Sequence, residues 1–94
     1  MMKRYSIKIK DGKLVIIKIE IKNKKIAKFQ LLGDFFLYPE ESIIQIEKSV
    51  IGQDQAKIQK ILPEVIENEH AILYGFQISD VITLIDSAFA DKDL

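Results

Sequence analysis

The sequence contains no cysteine and a single histidine, His70. Disulfides, thiolate metal sites, iron-sulfur ligation by the chain itself and cysteine nucleophiles are therefore excluded, and one imidazole leaves little for metal or triad chemistry. Tryptophan is absent too, and only two prolines and four glycines punctuate 94 residues. The glycines stand apart, at 12, 33, 52 and 75. A phosphate-cradling loop needs several together ahead of a helix, so no nucleotide-binding motif is present. No apolar run approaches the ~20 residues that cross a bilayer. Met1-Met2-Lys3-Arg4 leads into charge-alternating sequence rather than an apolar core, which predicts a soluble, cytoplasmic protein.

With 48% apolar residues the chain is expected to close one modest core, a single domain over residues 1–94. Net charge is zero, but its distribution is lopsided. Residues 1–28 hold ten of the fourteen cations and two acids, whereas residues 29–94 hold four cations and twelve acids. A basic half is joined to an acidic half.

The basic half alternates with period two over Tyr5 to Lys10, Lys13 to Lys22 and Lys25 to Leu32, which predicts a three-stranded antiparallel meander. Register follows from keeping apolar residues on one face. A three-residue loop Lys10-Asp11-Gly12, with Gly12 left-handed, pairs Ile7 with Val15 and Tyr5 with Ile17. A three-residue second turn, Asn23 to Lys25, sets Ile19 against Phe29, Ile17 against Leu31 and Glu20 against Lys28. The inner face is then Tyr5, Ile7, Ile9, Val15, Ile17, Ile19, Ile21, Ala27, Phe29 and Leu31. The outer face is lysine-rich, with Leu14, Ile16 and Leu32 as apolar exceptions.

The acidic half reads as helices. Pro39 suits a first helical position, and Glu40 and Glu41 complement the positive end of a helix with the stripe Ile43, Ile44, Ile46, Val50 and Ile51, closed by Gly52. Asp54 is the expected N-cap of a second helix with the stripe Ile58, Ile61, Leu62, Val65 and Ile66, which Pro63 is placed to split or bend. Ser79 is the expected cap of a third, facing inward with Val81, Ile82, Leu84, Ile85, Ala88 and Phe89. The stretch Ala71 to Ile78, interrupted by Gly75, reads as an ordered turn. The fold class is α+β, a three-stranded meander followed by about three helices on one face.

Chemistry is sparse. His70 with Glu67 and Glu69 fits a solvated helix end better than a metal site, and Glu40 and Glu41 are explained by the helix start rather than by acid–base work. The lysine face raises nucleic-acid binding, but it shows no aromatic residues on which bases would stack. A small basic-sheet module for nucleic acid or protein is the alternative reading.

One anomaly remains. Gly33-Asp34-Phe35-Phe36-Leu37-Tyr38-Pro39-Glu40 packs three aromatics into the joint between sheet and helix. This GDFFLYPE run, with Val50-Ile51-Gly52, Gly75 and Ser79 after it, resembles the C-terminal accessory domain of lipoate-protein ligases, in its stand-alone form as the small subunit of a bipartite ligase. The resemblance covers nearly the whole chain. It implies a non-catalytic subunit that docks on a large catalytic subunit and is needed for adenylation of lipoate to lipoyl-AMP. ATP, Mg and lipoate would act at the partner, with none bound by this chain, and lipoyl-carrier domains would be indirect partners. No catalytic residue and no metal ligand carries over. Iron-sulfur scaffold proteins share the fold family, but their cysteine ligands are missing here.

Parity places two phenylalanines. If alternation persists through Gly33, Phe35 continues the core face and Phe36 joins Leu32, Leu14 and Ile16 outside. Gly33, Asp34, Phe36, Leu32 and Tyr38 are thus the expected partner-binding residues, and Phe35, Gly12, Gly52 and Ser79 the expected structural ones.

Overall fold

The computed structural model describes residues 2–10 and 13–91. Strands β1 (Lys3–Lys8), β2 (Leu14–Lys22) and β3 (Lys25–Gly33) form an antiparallel sheet in sequence order. Their register is the one that hydrophobic alternation requires: Ile7 pairs with Val15, Tyr5 with Ile17, Ile17 with Leu31, Ile19 with Phe29 and Glu20 with Lys28. Gly12 lies outside the described residues.

The second turn differs from expectation. Asn23 and Lys24 alone form it, with φ of 53° and 64°, so Lys22 pairs with Lys25 and Ile21 with Ile26. The pairing shifts between Glu20 and Ile21, which leaves Ala27 as the extra residue of a bulge. Ile26 therefore takes the buried position that simple alternation assigned to Ala27, and Ala27 is only half-buried. The two-residue turn wins because both residues adopt the left-handed conformation, whose twist matches that of paired strands.

Helices cover one face. After β4 (Phe36–Tyr38) come α1 (Ser42–Ser49), α2 (Gln55–Asn68), β5 (Ile72–Tyr74) and α3 (Ile78–Ala90). Val15, Ile17, Ile19, Ile26, Phe29 and Leu31 from the sheet meet Ile46, Val50, Ile58, Leu62, Val81, Leu84, Ile85 and Ala88 from the helices in one core. Burial of this set is the main stabilising term for so small a domain. Tyr5 Oη donates to Asp91 Oδ2 at 2.6 Å and ties the end of α3 to β1. On the opposite flank Leu31 N donates to Glu47 Oε2 at 2.8 Å, and Ile26 exchanges backbone hydrogen bonds with Gln53 O (3.0 Å) and Gly52 N (2.7 Å).

Helix ends correct several expectations. Pro39 does not begin α1: it follows a cis peptide bond in the turn ahead of Ser42, whose N–H reaches Pro39 O at 3.0 Å. Gly52 is not the helix end, since α1 stops at Ser49 with Val50 as C-cap, and Gly52 instead makes the left-handed turn (φ 80°) that brings its N–H to β3. Ile44 and Ile51 are exposed rather than inward. Asp54 does cap α2, accepting from Lys57 N at 3.1 Å, and the helix runs unbroken through Pro63. Ser79 is not a cap. Gln77 holds that position, with its N–H donating to Asp80 Oδ2 at 2.8 Å, and Ser79 lies inside α3. The acid three residues after Gln77 closes a reciprocal capping box, which outweighs a lone serine hydroxyl. Within the presumed turn Ala71 to Ile78, Ile72–Tyr74 is a strand.

Candidate functional site

The joint after β3 turns sharply. Gly33 has φ of 149°, and a Cβ there would stand 2.1 Å from Leu14 O and 2.9 Å from the Phe35 ring. Only glycine fits that close approach. Asp34 N then donates to Leu14 O at 2.9 Å, fixing the exit of the chain from the sheet. The β3 alternation thus does not run on through Gly33; a new strand begins at Phe36.

That strand pairs antiparallel with β5, Phe36 opposite Tyr74, Leu37 opposite Leu73 and Tyr38 opposite Ile72. Side chains alternate across this ribbon. Leu37 is buried and Leu73 packs against the core, so the other parity faces outward. Phe36 is 75% exposed, Tyr38 67%, Tyr74 54% and Ile72 52%. Phe35 is half-buried against the core, its ring centroid 4.2 Å from that of Phe76. The expected division holds, with Phe35 inside and Phe36 outside, but for a different reason: two-strand pairing sets it rather than continuation of β3.

Of the expected partner-binding residues, Gly33, Asp34, Phe36, Leu32 and Tyr38 are all exposed. They are divided between two sheets. Leu32 pairs with Ile16 on the three-stranded sheet, where Ile16 and Leu14 are half-buried, whereas Phe36 has Tyr38, Ile72 and Tyr74 as its ribbon neighbours. Ile72 and Tyr74 escaped the sequence reading. Their signal was the β-prone triplet Ile72-Leu73-Tyr74 held between two left-handed residues, His70 (φ 51°) and Gly75 (φ 88°).

In the sequence, three of the four strand ends of the ribbon adjoin acids. Asp34 precedes it, Glu40 and Glu41 follow Tyr38, and Glu67 and Glu69 precede Ile72; Lys13 lies beside Gly75 at the far end. The cations occupy another surface. Arg4, Lys8, Lys18, Lys22 and Lys28 are exposed on the outer sheet face, with Glu20 buried among them, 3.8 Å from Lys22 Nζ and opposite Lys28.

Clefts offer little chemistry. One cleft, of about 560 Å³, is lined by Ile9, Lys10, Lys13, Phe76, Gln77 and Asp80 at the start of α3. There the carboxylate of Asp80 already sits at the helix start, accepting from the Gln77 N–H at 2.8 Å. Among the described residues no three of His, Asp and Glu converge on a common point, and no helix is long and apolar enough to cross a membrane.

Comparison with known proteins places this geometry. No protein-family model matches the chain. Lipoate-protein ligase A subunit 2 of Thermoplasma acidophilum is 31% identical over 75 residues, 80% of this chain and 78% of the relative. A chain from the solved structure of an archaeal lipoylation system, described as a bi-partite lipoate protein ligase and its E2 lipoyl domain from the same organism, superposes with a TM-score of 0.80 at 28% identity. That match covers 90% of this chain and 94% of the other. Sequence and fold point the same way, and the chain belongs to the family of small second subunits of bipartite lipoate-protein ligases.

Proposed function

We propose that this chain is the non-catalytic accessory subunit of a cytoplasmic, ATP-dependent lipoate-protein ligase. It docks on a large catalytic subunit and supports the adenylation step, in which the lipoate carboxylate attacks the α-phosphorus of ATP, expels pyrophosphate and leaves lipoyl-AMP. The lipoyl group then passes to a lysine of a lipoyl-carrier domain. ATP, Mg and lipoate act at the partner, and this chain contributes no reacting group.

The observation that carries the reading is similarity along most of both chains to a protein that is itself a subunit. Physical chemistry supports the division of labour. This chain offers no cluster of glycines to cradle a phosphate, and at the start of α3 the Gln77 N–H is held by Asp80. An acyl-adenylate is open to hydrolysis, so a second body that closes over the site excludes water and holds the reactants in line.

The test is reconstitution. Lipoate-dependent exchange of pyrophosphate into ATP by the large subunit is expected to require added chain, while transfer from preformed lipoyl-AMP depends on it less. Calorimetry with the chain alone is expected to detect no binding of ATP or lipoate. Full exchange without the chain, or micromolar ATP binding by it, would overturn the proposal.

A further inference from the structure

The outer face of the β4–β5 ribbon is the largest paired set of exposed apolar side chains in the described molecule: Phe36, Tyr38, Ile72 and Tyr74, each more than half exposed. Taking about 200 Å² for a large side chain, it presents roughly 500 Å² of mainly apolar surface, at the upper end of what monomers show and often functional there. A standard interface covers about 800 Å² per partner, so the ribbon supplies the centre of one and leaves room for a polar rim. By contrast, Ile44 and Ile51 lie on α1 and the turn after it, outside any such cross-strand pairing.

Two features make this face a prepared surface rather than loose hydrophobic exposure. Backbone pairing with β5 holds β4 in place, and Leu37 and Leu73 anchor the ribbon from beneath. Aromatic side chains on a rigid ladder lose little entropy on docking. The rim then selects the occupant. Asp34 precedes β4, Glu40 and Glu41 follow it and Glu69 comes shortly before β5, against the cation Lys13 beside Gly75, so the charge flanking the ribbon is mainly negative. A second copy of this chain would bring the same acids face to face, and nucleic acid or an anionic membrane would be repelled.

Resting on the accessory-subunit reading, we infer that the outer face of the β4–β5 ribbon is the surface that docks on the large ligase subunit, its aromatics entering an apolar depression there with Lys and Arg around the mouth. Phe36 and Tyr74, cross-strand partners, form the centre of that contact. Ile72 and Tyr74 make the face two-stranded, so the GDFF joint alone is half of it.

Calorimetry of the whole chain against the large subunit of the same source tests this. The double substitution Phe36→Ser, Tyr74→Ser is expected to weaken binding by about 100-fold, as loss of two central aromatics does, with Ile51→Ser unchanged. Reversing the rim with Glu40→Lys and Glu41→Lys is expected to slow association about fivefold at low salt. If the double variant does not fold, hydrogen exchange on the unmodified chain reads the same point: residues 36–38 and 72–74 gain protection in the complex. Failure of the unmodified chain to bind the large subunit overturns the accessory-subunit reading itself. Normal binding by a folded double variant, absent protection of the ribbon, or unslowed association of the rim variant overturns only the docking surface assigned here. So does a homodimer in solution that Phe36→Ser disperses.

Discussion

The rings of Phe35 and Phe76 meet with centroids 4.2 Å apart and planes inclined by 37°. One belongs to the joint that leaves the three-stranded sheet and the other to the segment between β5 and α3, so a single aromatic contact fastens both approaches to the ribbon to the core. The neighbouring Phe36 makes the opposite choice and faces solvent. Adjacent, identical side chains therefore have separable roles.

Phe35→Ala removes this contact and leaves a cavity. Its cost is expected to be about 2 to 4 kcal/mol, just below that of a fully enclosed phenylalanine. Phe36→Ala loses only a cross-strand neighbour and is expected to cost under about 1 kcal/mol. Urea unfolding followed by circular dichroism distinguishes them; equal losses would contradict the assignment of inside and outside.

Gly33→Ala is expected to destabilise by at least about 2 kcal/mol, because the new methyl group meets a carbonyl oxygen in a backbone conformation closed to L-residues. The clash is with Leu14 O. A melting temperature unchanged within experimental scatter would show that the turn relaxes freely.

How far such contacts could be read beforehand depends on how many residues carry the pattern. Nine-residue strands such as β2 and β3 repeat their alternation often enough to fix register, and Ile7, Ile17 and Ile19 found their partners from the sequence alone. The three residues of β5 repeat nothing, so its pairing with β4, and half the candidate site with it, stayed hidden. Ala27 misled for a related reason: a bulge inserts one residue between two apolar neighbours, and Ile26 satisfies the pattern as well as Ala27 does. Ser79 and Pro39 show the limit of local preference. Each suits a helix start, but Gln77 with Asp80 and the turn at residues 39–41 take those positions through hydrogen bonds that only the folded chain reveals.

Pro63→Ala is expected to stabilise the protein by about 1 to 2 kcal/mol. Alanine restores an N–H inside a continuous helix, and the added freedom of the unfolded chain offsets part of that gain. Pro63 is exposed within Gln55–Asn68, so no packing is lost. Differential scanning calorimetry checks the sign; a lowered transition would mean that the proline ring makes a contact worth more than the missing bond.

Glu47→Ala is expected to cost about 1 to 3 kcal/mol, since it leaves the Leu31 N–H without its acceptor, whereas Glu47→Gln keeps an oxygen in place and costs about half as much or less. Exchange of the Leu31 amide should quicken in the first variant and stay slow in the second. Equal exchange rates in both would show that the carboxylate is dispensable there.

That same carboxylate bears on how a subunit survives before it meets a partner. An open sheet edge is a template for further strands, and a protein made apart from its complement is exposed to that hazard. On the β3 side Glu47 occupies one amide of the edge, and the backbone of residues 52 and 53 occupies both polar groups of Ile26. Helix α1 and the turn after it thus act as a selvedge, finishing the fabric from its own thread. The other border of the three-stranded sheet is β1, and it carries the exposed Arg4 and Lys8, whose like charges discourage one molecule from being stitched to the next.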